Sequence, residues 1–295
     1  MKILILGATG FIGKNLSNKL LEEGNTIYAL TRNSKKIFDR RINFALWDGE
    51  KIPENLDGFD AIINLAGENI FSILYNKNKK RKIIESRVNA GKAILNFIEK
   101  TKIRPEVLIQ ASAIGYYGNS DEEKDEFSPP GKDFLSEVCI EWEKSTEKIE
   151  KYGIRRCIIR IGIVLGKGGF LSKILLFQKF PFLFIIGNPE NFISFIHIED
   201  LINAIIFLIK NKNCKGIYNL VSPFPIKFYD LYNTLAKILN KKLIKFPDFF
   251  FKILMQKMAD EVIFFNQKII PKRILEEKFE FSYSDIEKAL TEILK

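Results

Sequence analysis

A chain of 295 residues, 46% hydrophobic and 28% charged, can bury one large core with a smaller companion lobe, which excludes a disordered or fibrous protein. Three cysteines, Cys139, Cys157 and Cys214, stand far apart in no metal-ligand or CxxC spacing, so reduced thiols in a cytoplasmic protein are expected, not a disulfide framework or a metal site. The net charge of +10 raises nucleic acid as a partner, but the basic residues are scattered and read as drift toward Lys, Ile, Asn and Phe; neither a nucleic acid nor a membrane is expected.

Residues 2–6 form a short apolar run that predicts a buried strand, entered directly from the N-terminus with no room for a targeting segment before the next element. A helix follows over 12–23 on the spacing of Ile12, Leu16, Leu20 and Leu21, closed by Gly24. Strands are predicted at 26–30, 44–47 and 60–64, a long helix at 79–101, a fifth strand at 107–112, one helix over 134–152, and a sixth strand at 156–162. The alternation of strand and helix predicts an α/β protein with a doubly wound parallel sheet of Rossmann type. Beyond Gly166 the pattern changes. The greasy stretch 170–187 is interrupted by Lys173, Gln178, Lys179 and Pro181 and falls short of a membrane span. A helix over 201–210 with Asp200 as its N-cap, a strand at 216–220, a helix over 228–240 and a helical, aromatic-rich end at 247–295 complete the reading. The expected division is a nucleotide-binding domain at 1–166, to which 193–221 returns, and a smaller, mainly helical lobe from 167–192 and 222–295. Phe249-Phe250-Phe251 and Phe264-Phe265 suit a helical core or the contact of a homodimer.

Gly7, Gly10 and Gly13 form a GxxGxxG turn between the first strand and the first helix. The first glycine permits the tight turn, the second lets backbone approach a pyrophosphate, and the third lets helix and strand pack closely. Phe11 and Ile12 open the helix, whose free N–H groups and dipole favour phosphate. The end of the second strand reads Leu30-Thr31-Arg32-Asn33-Ser34, followed by Lys35 and Lys36, where an NAD site would place a carboxylate for the ribose. Arg32 could bind a 2′-phosphate as a bidentate donor or stack on the adenine, which favours NADP(H) over NAD(H).

GATGFIG at the start, NLAGENI at 64–70, Ser86-Arg87, SAIGYYG at 112–118, Trp142-Glu143, RIGIVLGKGG at 160–169 and FIHIEDL at 195–201 together resemble one branch of the extended short-chain dehydrogenase/reductases. The ending, Ile270-Pro271-Lys272-Arg273 followed by Phe279-Glu280-Phe281, is similar to that branch's C-terminal domain of unknown function. The branch is the atypical, NAD(P)-dependent epimerase/dehydratase-like "epimerase family protein". The resemblance covers nearly the whole chain and implies an NADP(H)-binding protein with contacts at Thr31, Arg32, Leu65, Ala66, Arg87 and Val164 beside the glycine turn. The chain departs from the branch at Tyr75 and Phe195, where tryptophans are common, and at Lys278, where a glycine often stands.

Hydride transfer in this superfamily uses a Tyr-x-x-x-Lys pair on the helix after the fifth strand, the lysine lowering the tyrosine pKa. The two registers here, Phe134 with Val138 or Leu135 with Cys139, supply neither phenol nor amine. The match at Tyr75-Asn76-Lys77-Asn78-Lys79 follows the fourth strand and reads as coincidence. Strand ends at the carboxyl edge then nominate Glu68 and Asn69, and Ser112, Tyr116 and Tyr117, with Tyr116 and Glu68 the candidates for catalysis. His197, the lone histidine, precedes a helix start and reads as structural, and Lys167 in Gly166-Lys167-Gly168-Gly169 is placed at a bend where it could meet an anion. The expected function is an oxidoreductase or epimerase acting on a small hydroxyl or carbonyl compound, nucleotide-sugar-like compounds included. The alternative is a non-catalytic NADP(H)-sensing module.

Overall fold

Alternate side chains of Lys2–Leu6 are apolar on both faces, so this strand can only lie inside a sheet covered on both sides. Ile3 and Ile5 pack with Leu16 and Leu20 of the first helix, whereas Leu4 and Leu6 pack with Ala90, Ile94 and Ile98 on the opposite layer. The computed structural model describes residues 1–32, 38–70, 76–175, 180–185, 187–245 and 265–295. Asn33, Ser34, Lys35, Lys36, Tyr75, Gln178, Lys179, Phe249, Phe250, Phe251 and Phe264, all noted in the sequence, lie outside the described residues.

Strands β1 (Lys2–Leu6), β2 (Thr26–Thr31), β3 (Asn43–Leu46), β4 (Ala61–Asn64), β5 (Val107–Ala113), β6 (Arg155–Ile161) and β7 (Gly216–Leu220) form one parallel sheet in the order β7-β6-β5-β4-β1-β2-β3. The order reverses between β1 and β4, which opens a crevice at their carboxyl ends. Leu6 stands in register with Leu30 on one side and Asn64 on the other, so three strand ends converge there. Helices α1 (Phe11–Glu22), α2 (Lys77–Lys100), α3 (Phe134–Lys144), α4 (Gly169–Leu175), α5 (Ile198–Lys210), α6 (Phe228–Ile238), α7 (Lys272–Glu276) and α8 (Ile286–Leu294) cover the sheet and build a second core. That core joins Leu171 and Ile174 of α4 to Leu231 and Leu235 of α6 and Leu290 and Ile293 of α8.

The single helix expected over 134–152 is two elements: α3 ends at Lys144, and Glu147–Tyr152 is a separate 3-10 turn. Ser145 Oγ donates to the Trp142 carbonyl at 2.6 Å and Thr146 Oγ1 to the Glu143 carbonyl at 3.4 Å, so both hydroxyls bond back to the preceding turn. Ser145 also presses on α2, where a Cβ on Gly91 would lie 1.9 Å from its Oγ. The N-cap expected at Asp200 is His197 instead, whose Nδ1 accepts the Glu199 N–H at 3.3 Å. Asp200 instead ties down the chain end, its carboxylate accepting the N–H groups of Ser282 and Tyr283, each at 2.8 Å. His197 Nε2 lies 3.0 Å from Glu292 on α8, and its ring packs at a tilt on Tyr283 with centroids 4.1 Å apart. The lone histidine is therefore a clasp between α5 and the chain end.

Of the end expected to be helical, residues 265–295 are described and are only partly so. Its described part holds α7 and α8 but also Lys268–Ile269, a strand paired with Glu123–Lys124. Arg273 at the start of α7 donates to the carbonyls of Ile217 at 2.6 Å and Lys215 at 2.8 Å, tying it to β7. Lys278 stands just beyond α7 at φ +64°, with its N–H on the Leu275 carbonyl and that of Phe279 on the Ile274 carbonyl. This left-handed helix end is glycine's usual place, and a side chain there carries strain. Lys278→Gly should raise stability by about 0.5–1 kcal/mol, read as a higher urea midpoint at unchanged slope.

Candidate functional site

The crevice between β1 and β4 is shaped by backbone pressed on backbone. Gly7 has φ +85°, and a Cβ there would sit 2.6 Å from the Leu65 carbonyl oxygen. A Cβ on Gly13 would meet the Gly7 carbonyl oxygen at 2.3 Å, so α1 can approach β1 only through a glycine. Gly10 is the N-cap of α1 and supplies no side-chain cap, which leaves the first-turn N–H groups of Phe11 and Ile12 facing outward from the turn. A cradle with no Cβ, closed by an uncapped helix start, fits a pyrophosphate.

The cleft above this turn measures about 530 Å³. Gly7 and Gly10 form its floor, Thr31 and Arg32 one end, and Leu65 and Ala66 the opposite wall. Arg32 is exposed, with its Cδ 3.9 Å from a Cβ built on Gly49. The sequence reading missed Trp47, Asp48 and Glu50, which the end of β3 brings into the same cleft. Asp48 is consumed locally: its Oδ1 accepts the N–H groups of Glu50 and Lys51, each at 2.8 Å, and these bonds hold its pKa below the usual carboxylate range. Phe11 packs under the Gly166-Lys167-Gly168-Gly169 bend, where a Cβ on Gly168 would lie 2.7 Å from its ring. The glycines of that bend thus serve close packing, and Lys167 is exposed. Val164 lies nearby in the short strand Ile163–Leu165, paired with Ile196.

Glu68 lies in the cleft, and its carboxylate accepts a hydrogen bond from Lys79 Nζ at 2.8 Å. That bond outweighs partial burial and lowers the Glu68 pKa, with Lys79, Arg32 and Lys82 adding favourable charge. The carboxylate is therefore ionised and paired. Lys79, the described member of the Tyr75–Lys79 match, lies in the first turn of α2, with its N–H on the Asn76 side chain at 2.9 Å.

A second cavity of about 200 Å³ lies at the carboxyl ends of β5 and β6. Leu135, Val138 and Cys139 of α3 face it, so the positions expected to hold a phenol and an amine present hydrocarbon and a thiol. Burial raises the Cys139 pKa to about 11, and its thiol points at the Ala113 carbonyl at 3.5 Å. Phe134 turns the other way, under Lys80 of α2 at 4.4 Å. Arg87 and Trp142 form another wall, the guanidinium carbon 4.7 Å from the indole centroid. Arg87 Nη1 donates to the carbonyls of Glu68 at 3.1 Å and Ile83 at 3.0 Å. The segment Glu68-Asn69-Ile70 runs from the cleft to this cavity, so Arg87 and the Glu68 backbone it bonds stand between the two.

Beneath the cavity lies a buried polar chain. Ser112 Oγ donates to Glu143 Oε1 at 2.7 Å, and Glu143 takes both Nε and Nη2 of Arg160, at 2.8 and 2.9 Å. Arg160 Nη1 donates to the Tyr117 hydroxyl at 2.9 Å, which donates to Asn219 Oδ1 at 2.7 Å. Burial pushes the Tyr117 pKa up to about 12. Tyr116 lies with its ring centroid 3.3 Å from the Arg160 guanidinium carbon and edge-on to Tyr117. The structure thus places Ser112, Tyr116 and Tyr117 around one buried cation, and Glu68 in the nucleotide cleft.

The sequence profile of the NAD dependent epimerase/dehydratase family matches residues 3–220, and that of a domain of unknown function, DUF1731, matches residues 246–293. The chain belongs to the NAD dependent epimerase/dehydratase family. It is 33% identical to the epimerase family protein YfhF of Bacillus subtilis, over 100% of this chain and 98% of that one. It is 35% identical to the chloroplastic epimerase family protein SDR39U1 homolog of Arabidopsis thaliana, over 100% of this chain and 87% of that one. Among solved structures it is similar to human epimerase family protein SDR39U1 (isoform 2) crystallised with NADPH, with a TM-score of 0.89, 26% identity and 99% of each chain covered. Among the described residues no helix is long and apolar enough to cross a membrane.

Two outcomes follow from the paired charges. Glu68 has a folded pKa below its unfolded one, so its contribution is present above the ordinary glutamate pKa of about 4.3 and is lost as pH falls through the lower folded value. Because Glu68 is partly exposed, Glu68→Gln should cost under about 1 kcal/mol at neutral pH, and melting curves of parent and variant should converge as the pH falls below the ordinary glutamate value and through the lower folded one. Arg160→Met leaves the Glu143 carboxylate buried and unpaired and should cost about 3–5 kcal/mol in urea unfolding. Adding Glu143→Leu should recover at least half of that loss.

Proposed function

We propose that this chain is an NADP(H)-dependent oxidoreductase or epimerase acting on a small hydroxyl or carbonyl compound. The observation that carries the reading is the pairing of a glycine cradle ending at Arg32 with a separate apolar cavity at the carboxyl edge of the same sheet. The Gly7, Gly10 and Gly13 turn holds the pyrophosphate, and Leu65 and Ala66 wall the ribose side. Arg32 binds a 2′-phosphate where a carboxylate would repel it. The crystallisation of the human relative with NADPH supports the same choice. Arg87 and Val164 lie toward the nicotinamide end. When bound, the dinucleotide supplies or accepts hydride at its nicotinamide ring. This chain's residues orient the reactants and exclude water around the transfer.

The chain lacks the usual proton relay at α3, since Leu135 and Cys139 stand in its place. Tyr116, stacked on Arg160, and Glu68, paired with Lys79, are the acid–base candidates that the strand ends supply. The same substitution supports a second reading, a protein that binds NADP(H) and signals its level to a partner without turnover. Fluorescence titration distinguishes the nucleotides, and a panel of small carbonyl compounds distinguishes enzyme from sensor. NADPH should bind at least tenfold more tightly than NADH. Arg32→Ala should weaken NADPH about 10–100-fold while leaving NADH within about twofold. Tighter NADH binding by the parent would sink the NADP(H) assignment.

A further inference from the structure

Gln267 belongs to the C-terminal region and lines the apolar cavity, although it lies more than 120 residues beyond α3. The residue is 6% exposed. Nε2 donates one hydrogen to the Ile114 carbonyl at 3.1 Å and the other to the Gly118 carbonyl at 2.9 Å. Turning the amide over would set its oxygen against two carbonyl oxygens, so the orientation is fixed. Oε1 is left with no donor among the described residues, and it is not among the enclosed unpartnered atoms, so it opens on the cavity.

The backbone around Gln267 is held as firmly as its amide. Its N–H donates to the Phe192 carbonyl at 3.1 Å, and Ser194 Oγ lies 3.1 Å from its carbonyl oxygen while accepting the Ile269 N–H at 2.8 Å. The acceptor is thereby aimed before any ligand arrives, which lowers the ordering cost of binding. Elsewhere the cavity wall is mostly hydrocarbon, as at Ile70, Ile114, Leu135 and Ile161. A volume of about 200 Å³ suits a small molecule, since apolar protein cavities of about 150 Å³ take up benzene.

We propose that Gln267 is the recognition group of this cavity: a fixed hydrogen-bond acceptor that selects a small, otherwise apolar ligand bearing one hydroxyl or N–H donor. The C-terminal domain then has a defined role, to bring that acceptor to the edge of the sheet. The inference rests on reading the cavity as the substrate end of the proposed site. It also disfavours a nucleotide-linked sugar, whose many polar groups would meet a wall that is mostly hydrocarbon.

Phenol and toluene differ by one donor at nearly equal shape and serve as probes. Each is titrated against the whole protein, with the indole N–H resonance of Trp142 as reporter; Trp47→Phe assigns it, because the chain has two tryptophans. Without an acceptor, the cost of burying a hydroxyl favours toluene. Phenol is therefore expected to bind the parent at least as tightly as toluene, and Gln267→Met should shift the ratio of dissociation constants toward toluene by about tenfold. Gln267→Lys, which keeps N–H donors for Ile114 and Gly118 but has no acceptor, should shift it the same way. The preference should persist with saturating NADP+; its disappearance would mean that the carboxamide of the nucleotide occupies the acceptor and would overturn the substrate assignment. An unchanged ratio in both variants, or no saturable binding of either probe, would also overturn it. NADPH affinity is read separately by fluorescence. A protein that fails to bind NADPH while showing the phenol preference refutes the proposed function and leaves the role of Gln267 standing.

Discussion

Arg160 carries its charge beneath the carboxyl edge of the sheet, where the side chain is almost wholly enclosed. An isolated guanidinium there would cost several kcal/mol, and its neighbours are arranged to prevent that. Burial works against the charge, but the bidentate Glu143 carboxylate and the Tyr117 hydroxyl more than compensate and hold the Arg160 pKa above its ordinary value. Each partner comes from a different element: Glu143 from α3, Ser112 from β5, Tyr117 from the turn after it, and Asn219 from β7. One buried cation therefore sets the relative positions of three strand ends and the helix that walls the cavity.

The same chain of contacts reaches the C-terminal region. Asn219 Nδ2 donates to the Ile270 carbonyl at 3.0 Å, just beyond the strand that follows Gln267. On the other face, Asp200 and His197 hold the residues before and within α8. Directional bonds at both ends of its described part explain how this region presents a side chain at a fixed point. Hydrophobic contact in the second core supplies the bulk of its burial but not that aim.

The nucleotide cleft and the apolar cavity work on opposite principles. The cleft is built from backbone and carries exposed charge at Arg32 and a paired carboxylate at Glu68, which suits an anionic, strongly hydrated ligand. The cavity wall is mostly hydrocarbon, and its few polar side chains include Arg87, Asn119, Asp133 and Gln267, the last with an amide oxygen that has no donor among the described residues. Cys139, kept as a neutral thiol by burial, adds no charge where a lysine would have added one. In the proposed reaction the dry cavity would shield the transferred hydride from water, while the cleft stays open to solvent.

Local sequence determined the parts of this protein whose physics is local. The apolar runs of β1 and β4, the period of α1 and the three glycines of its turn were legible because strand burial, helix facing and a Cβ-free approach depend on adjacent residues. Lys278, a departure from the family pattern, was legible as a position, though only the backbone showed that it sits at φ +64°. Tertiary structure decided what depends on residues far apart in the chain. The Ser145 and Thr146 hydroxyls ended α3 against Gly91, the end of β3 carried Asp48 into the cleft, and Gln267 closed the cavity from the other end of the sequence. Which side chains share a buried space is fixed by packing density and by the need to pair every enclosed charge, and neither is written in the spacing of neighbouring residues.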